Sequence, residues 1–153
     1  MKYKSARYTV LFLLLITFVY RCAPPPCSSE TNSTVKAYFY KTGTGTSITA
    51  DSVTLYGIGR DTSKIYDKTP GLKSINFPLF AESDSCSFFV KLNKLTDTVT
   101  FYYSSYTHLI SKECGYTFFH TLDSVKHNNS ILDYQIRNNS ITTFNEENIR
   151  IFY

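Results

Sequence analysis

An all-β fold, an antiparallel β-sandwich of about eight short strands (immunoglobulin-like or similar), is predicted for residues 35–153. Three observations predict it. The chain is rich in side chains that suit a pleated surface, with 13 Tyr and 12 Phe and frequent Thr, Ser and Val. Apolar residues recur with a period of two, and the helical period is nearly absent. Turn residues break the pattern at short intervals, as in a sandwich or barrel.

Residues 35–41 alternate, with Val35, Ala37 and Phe39 on one face and Tyr38 and Tyr40 on the other. The stretch 41–46, with two glycines, is a loop. Residues 52–59 turn Val53 and Leu55 inward. Tyr56-Gly57-Ile58-Gly59-Arg60 lies in a strand pattern and is read as a bulge rather than a phosphate loop. Residues 60–74 are polar, with a turn at Pro70-Gly71. Residues 75–80 form a short strand that Pro78 confines to an edge or a bulge. Residues 87–92 and 98–103 flank 93–97, a hairpin connection. Strands at 107–111 and 115–122 surround Cys114, and 131–137 and 148–153 complete the set. Such strands make two sheets, each with one wet face, packed face to face. The expected core is Val35, Ala37, Phe39, Val53, Leu55, Phe77, Leu79, Phe88, Val90, Leu92, Val99, Phe101, Phe118, Leu132, Ile136, Ile149 and Ile151.

Residues 1–21 read as a secretory signal. Lys2, Lys4 and Arg7 open it, and an apolar run from Tyr8 to Tyr20 follows. That run is about 13 residues, whereas a membrane-spanning helix needs roughly 20. It ends at Arg21-Cys22, so Cys22 is the expected lipid acceptor of a lipoprotein. The lipobox Val19-Tyr20-Arg21-Cys22 departs from Leu-(Ala/Ser)-(Gly/Ala)-Cys, whose small residues let a peptidase hold the extended chain. A bacterial lipoprotein carries several acyl chains, enough for stable anchoring. Residues 22–34 are then a lipid-anchored tether stiffened by Pro24, Pro25 and Pro26.

The formal charge of +4 is misleading. Four of the 16 basic residues lie in the signal, leaving 12 against 12 acidic ones. A neutral mature chain argues against nucleic acid as a partner.

An exported chain meets an oxidising compartment. With Cys22 acylated, Cys27, Cys86 and Cys114 remain, so one is odd. A Cys27–Cys114 bridge is preferred, since it would pin the tether to the domain and close a long loop. Cys86–Cys114 is the alternative, and Cys86 can also be a buried free thiol. No Cys-x-x-Cys pair or His cluster offers a metal site.

The signal ending in cysteine, a second cysteine soon after (Cys22 and Cys27), the early strand VKAYFYK, the motif Lys112-Glu113-Cys114-Gly115-Tyr116 and the final NIRIFY together resemble a family of short, uncharacterised lipoproteins from the Bacteroidetes, a domain-of-unknown-function group. The resemblance implies a lipid-anchored β-domain and a Cys27–Cys114 bridge. Arg21 and Cys86 depart from the usual pattern. It brings no catalytic residues to transfer.

Neither a Gly-x-Ser-x-Gly elbow nor a His-Glu-x-x-His helix is present. His108, His120 and His127 are scattered. His120 is expected to meet water or make a structural hydrogen bond, and His127 falls in a polar turn. Glu82, Asp84, Glu146 and Glu147 match no known cation loop and read as solvated turns. No catalytic residue, cofactor, metal or small-molecule substrate is assigned. Tyr38, Tyr40, Tyr102 and Tyr103 form the candidate binding surface, because rigid aromatics on a sheet face suit protein or sugar binding.

The expected role is a non-enzymatic, lipid-anchored interaction or envelope-assembly module, with an outer-membrane protein as partner. The acidic run that often follows the cysteine of surface-exported lipoproteins is missing, so the periplasmic face of the outer membrane is the expected location. A small outer-membrane β-barrel is the first alternative, since the chain ends in Phe152-Tyr153. A carbohydrate-binding module is the second, on fold analogy alone.

Overall fold

The computed structural model describes residues 25–128 and 132–153. Cys22 and the expected signal lie outside them, as does Ile131. Ten strands occur among the described residues, and no helix. They are β1 (Thr34–Tyr40), β2 (Val53–Gly57), β3 (Tyr66–Thr69), β4 (Ser74–Pro78), β5 (Ser85–Leu92), β6 (Leu95–Ser111), β7 (Gly115–His127), β8 (Asp133–Ile136), β9 (Ser140–Ile141) and β10 (Ile149–Phe152). One sheet has the order β4-β1-β10-β8 and the other β3-β2-β5-β6-β7-β9. These are two open sheets facing one another. A closed barrel needs a single cyclic sheet, so that alternative does not describe this fold.

Among the described residues every strand pairing is antiparallel except one. β1 and β10 run parallel, with Ala37 beside Ile149 and Phe39 beside Ile151. The period-two pattern explains the core directly. Val35 and Ala37 meet Phe77 and Ile75 of β4 across one sheet. Val53 and Leu55 meet Leu92 and Val90 of β5 across the other. Phe77 joins the layers, its ring 5.2 Å from Phe88 and 4.9 Å from Phe101 in edge-on geometry. Edge-on contacts suit the ring quadrupoles and add to the area buried.

Several expectations need correction. The strands expected at 98–103 and 107–111 are one 17-residue strand, β6. Ser104 and Ser105 look like a turn but stay in register with Thr121 and His120 of β7. The β5–β6 connection is only Asn93-Lys94, because Leu92 already pairs with Leu95. Asn93 takes φ 55°, which asparagine tolerates in a tight hairpin. Gly57 to Arg60 is a turn rather than a bulge, closed by Arg60 N–H donating to the Gly57 carbonyl at 2.8 Å. β3 arises in the polar stretch at 60–74. As an edge strand paired only with β2, it needs no apolar alternation. Pro78 ends β4, itself an edge strand, as proline requires.

Most expected core residues are buried. Leu79 packs at the margin, and Ile136 ends the edge strand β8 and is exposed. Phe118 is 44 % exposed, for a reason given below. Ile75, Tyr103, Leu122 and Ile141 join the core instead.

Phe77→Ala should lower unfolding free energy by about 3–5 kcal/mol, since both sheets lose one shared ring. A urea titration with an unchanged slope and a lower midpoint is the expected result.

Candidate functional site

β6 spans about 55 Å at roughly 3.3 Å per residue. β5 accompanies it only from Leu95 to Tyr102. β9 lies beside β7 only at His120 and Thr121. From Tyr106 and Phe119 outward, β6 and β7 therefore stand as a two-stranded finger. Its tip is the turn at residues 112–114, where Ser111 Oγ accepts the N–H groups of Glu113 and Cys114 at 3.2 and 3.0 Å. Gly115 follows at φ 72°, a backbone state that favours glycine after the turn.

The alternation that fills the core does not stop at the sandwich edge. Tyr103, Ser105, Thr107 and Leu109 of β6 share a face with Leu122, His120, Phe118 and Tyr116 of β7. Tyr103, His120 and Leu122 lie under the smaller sheet and are buried. Leu109, Tyr116 and Phe118 lie beyond it and are 46 %, 74 % and 44 % exposed. Phe118 thus has a core position in sequence but no opposing layer. On the other face, His108 stacks on Phe119 at 4.2 Å, with Tyr106 edge-on at 6.1 Å.

The segment before β1 is bound to this finger. Cys27 is disulfide-bonded to Cys114 at the tip, 87 residues away. Thr117 Oγ1 donates to the Thr31 carbonyl at 2.6 Å, and Ser33 Oγ donates to the Phe118 carbonyl. The expected tether is therefore lashed along the otherwise unpaired edge of β7. Among the described residues Cys86 is the free cysteine, so the Cys86–Cys114 alternative is not formed.

The four tyrosines do not form one surface. Tyr38 and Tyr40 face outward on β1. Tyr40 donates to Glu147 Oε2 at 3.2 Å and lies under the Arg150 guanidinium at 4.6 Å. Arg150 in turn donates from Nε to Glu147 Oε1 at 2.5 Å. One face of the Tyr40 ring is thereby occupied. Tyr102 lies on the outer face of the other sheet, with Lys126 5.0 Å from its ring centre. Tyr103 is 1 % exposed and belongs to the core. Its hydroxyl donates to the Phe80 carbonyl at 2.9 Å and accepts the Phe80 N–H at 3.0 Å. Adjacent strand residues point to opposite faces, so Tyr102 and Tyr103 cannot serve one surface.

Two features escaped the sequence reading. Ile58, Arg60, Ile65, Phe80 and Cys86 line an open cleft of about 440 Å³. Ile58, Ile65 and Phe80 are exposed there, and Arg60 sits 5.0 Å over the Phe80 ring. Such a recess can take an apolar side chain beside an anionic group. The Cys86 thiol is pushed up to about 11 by burial, so it stays protonated and unreactive at neutral pH. The second feature is buried Asp97, which shares the inward face of Val99 and Phe101. Its Oδ1 accepts the N–H groups of Thr98 and Asn128 at 2.7 and 2.9 Å, and His127 Nδ1 lies 3.6 Å from Oδ2. The Thr-x-Thr-x-Thr alternation from Thr96 to Thr100 was the signal for that inward carboxylate. Burial, then the nearby Asp97, raises the Tyr134 hydroxyl above its usual range. Among the described residues, no group of three or more His, Cys, Asp or Glu side chains is arranged to hold a metal ion.

Reducing the bridge, or Cys27→Ser, should cost about 4–5 kcal/mol in the loop-entropy account. Of Cys27, Cys86 and Cys114, only Cys86 should label with a thiol reagent in the denatured, non-reduced protein. His120 Nδ1 is 2.8 Å from Ser105 Oγ, and burial holds the imidazole below its usual range. The unfolded chain then takes up this proton near pH 6.5, and the folded protein only at lower pH. The resulting stability is complete above about pH 6.5 and is lost as the pH falls below it. His120→Gln should accordingly flatten the decline of Tm on acidification, as followed by circular dichroism.

Residues 52–153 match a family of unknown function, DUF6452. No curated protein and no solved structure matches the chain. The match covers two thirds of the chain, from β2 to the C-terminal strand, and the chain belongs to this family.

Proposed function

We propose that this member of the DUF6452 family is a lipid-anchored protein of a bacterial cell envelope, and that its β-sandwich is a non-enzymatic interaction or assembly module. The observation that carries this reading is the Cys27–Cys114 bridge. It makes the segment from Cys27 to Ser33 a built part of the domain, fixed to the tip of the β6–β7 finger. A lipid on Cys22 then sets how the sandwich is presented, in addition to holding it. The basic start, the short apolar run and the cysteine that ends it supply the anchor.

The cleft around Arg60 and Phe80 supports an interaction role. It combines exposed apolar side chains with a single guanidinium, a composition suited to a protein partner such as an outer-membrane protein. The chain following Cys22 begins Ala-Pro-Pro-Pro rather than with acidic residues, which favours the periplasmic face of the outer membrane.

The test is the intact mass of protein purified from the membrane fraction, beside a Cys22→Ala variant. A chain that starts at Cys22, carries acyl mass and leaves the membrane on Cys22→Ala substitution is the expected result. A mass that retains residues 1–21, or one without lipid, would discard the anchor. Protease added to intact cells should spare the protein; its loss would place it on the outer surface.

A further inference from the structure

We propose that the tip of the β6–β7 finger sits in the headgroup layer of the membrane, with Leu109, Tyr116 and Phe118 in contact with lipid. The proposal rests on the anchored reading above and adds an orientation and a second membrane contact.

The first argument is reach. Four residues lie between Cys22 and Cys27, so the two are about five residue steps apart, a span of at most about 18 Å when fully extended. The Cα atoms of Cys27 and Cys114 are 4.8 Å apart. The acyl root therefore stays within about 23 Å of the tip, whereas the Asn93-Lys94 turn lies at the far end of β6. The acyl root sits at the bilayer surface, so a tether this short keeps the tip within about 23 Å of that surface and lets it reach the headgroup layer.

The second argument is the surface presented there. The inward face of the sandwich runs out past its covering sheet, and three large apolar side chains follow one another on it. Leu109 and Tyr116 are directly paired, and Phe118 is next along that face. Tyrosine suits the interface, where its hydroxyl meets headgroups and its ring hydrocarbon, while leucine and phenylalanine add apolar surface. Lys112 and Glu113 share the turn, so the tip carries no net charge that an anionic surface would repel. Hydroxyl hydrogen bonds and the disulfide tie the tether to the β7 edge. The β7 side of the tip can therefore approach lipid without a bare strand edge.

The chain contains no tryptophan, so a single introduced one reports its own position. Tyr116→Trp is placed at an exposed site that tolerates a larger ring, and Lys94→Trp at the opposite end of β6. Each full-length protein, purified from membranes, is put into phosphatidylethanolamine–phosphatidylglycerol vesicles with plain or brominated acyl chains. Tyr116→Trp should shift to the blue and lose more than half its emission to bromine, while Lys94→Trp should do neither. An acylated protein in which both positions are equally unquenched would overturn the proposal and leave the anchor standing; the finger would then face a protein partner or water. A protein without acyl mass on Cys22 would overturn the anchored reading, and the proposal with it.

Discussion

The Cys27–Cys114 bridge is the constraint on which the unusual part of this molecule depends. A two-stranded ribbon reaching past its sheet is marginal in water, because it buries little and exposes both edges. Here the bridge, with two hydroxyl hydrogen bonds, supplies a third segment along β7. It also closes a loop of 87 residues, most of the fold. The tether, the finger and the sandwich thereby become one body.

Within the sandwich, a few contacts join layers that are each short. Phe77 places one ring against two from the opposite sheet. Tyr103 does a different job: its body fills the core, and its hydroxyl satisfies both backbone groups of Phe80. A buried hydroxyl without partners is costly, and this arrangement removes the cost. It also positions the Phe80 segment, which forms one wall of the cleft. Asp97 is another polar group turned inward. It accepts the Asn128 N–H at the point where the chain leaves β7.

Local alternation made much of the core legible. Val35, Ala37, Phe39, Val53, Leu55, Val90 and Ile149 follow from period two alone. The same rule failed at Phe118, not because its direction was wrong but because no sheet faces it. It also hid the length of β6, since serines at positions 104 and 105 read as a break. Cross-strand pairing overrides so weak a local signal. The cleft could not be read at all. Ile58, Phe80 and Cys86 come from separate segments that only folding brings together.

The sequence by itself determined the fold class, the inward set of most strands and the presence of a hairpin after Leu92, though not its two-residue turn. Each of these rests on interactions between residues near in the chain, or on a period the backbone imposes. The sequence favoured Cys27 as the partner of Cys114, and a resemblance implied it, with Cys86 left as a rival. Tertiary structure decided that pairing, the burial of Tyr103 beside exposed Tyr102, and the exposure of the finger. These depend on where one sheet ends over another, and no local pattern encodes that boundary.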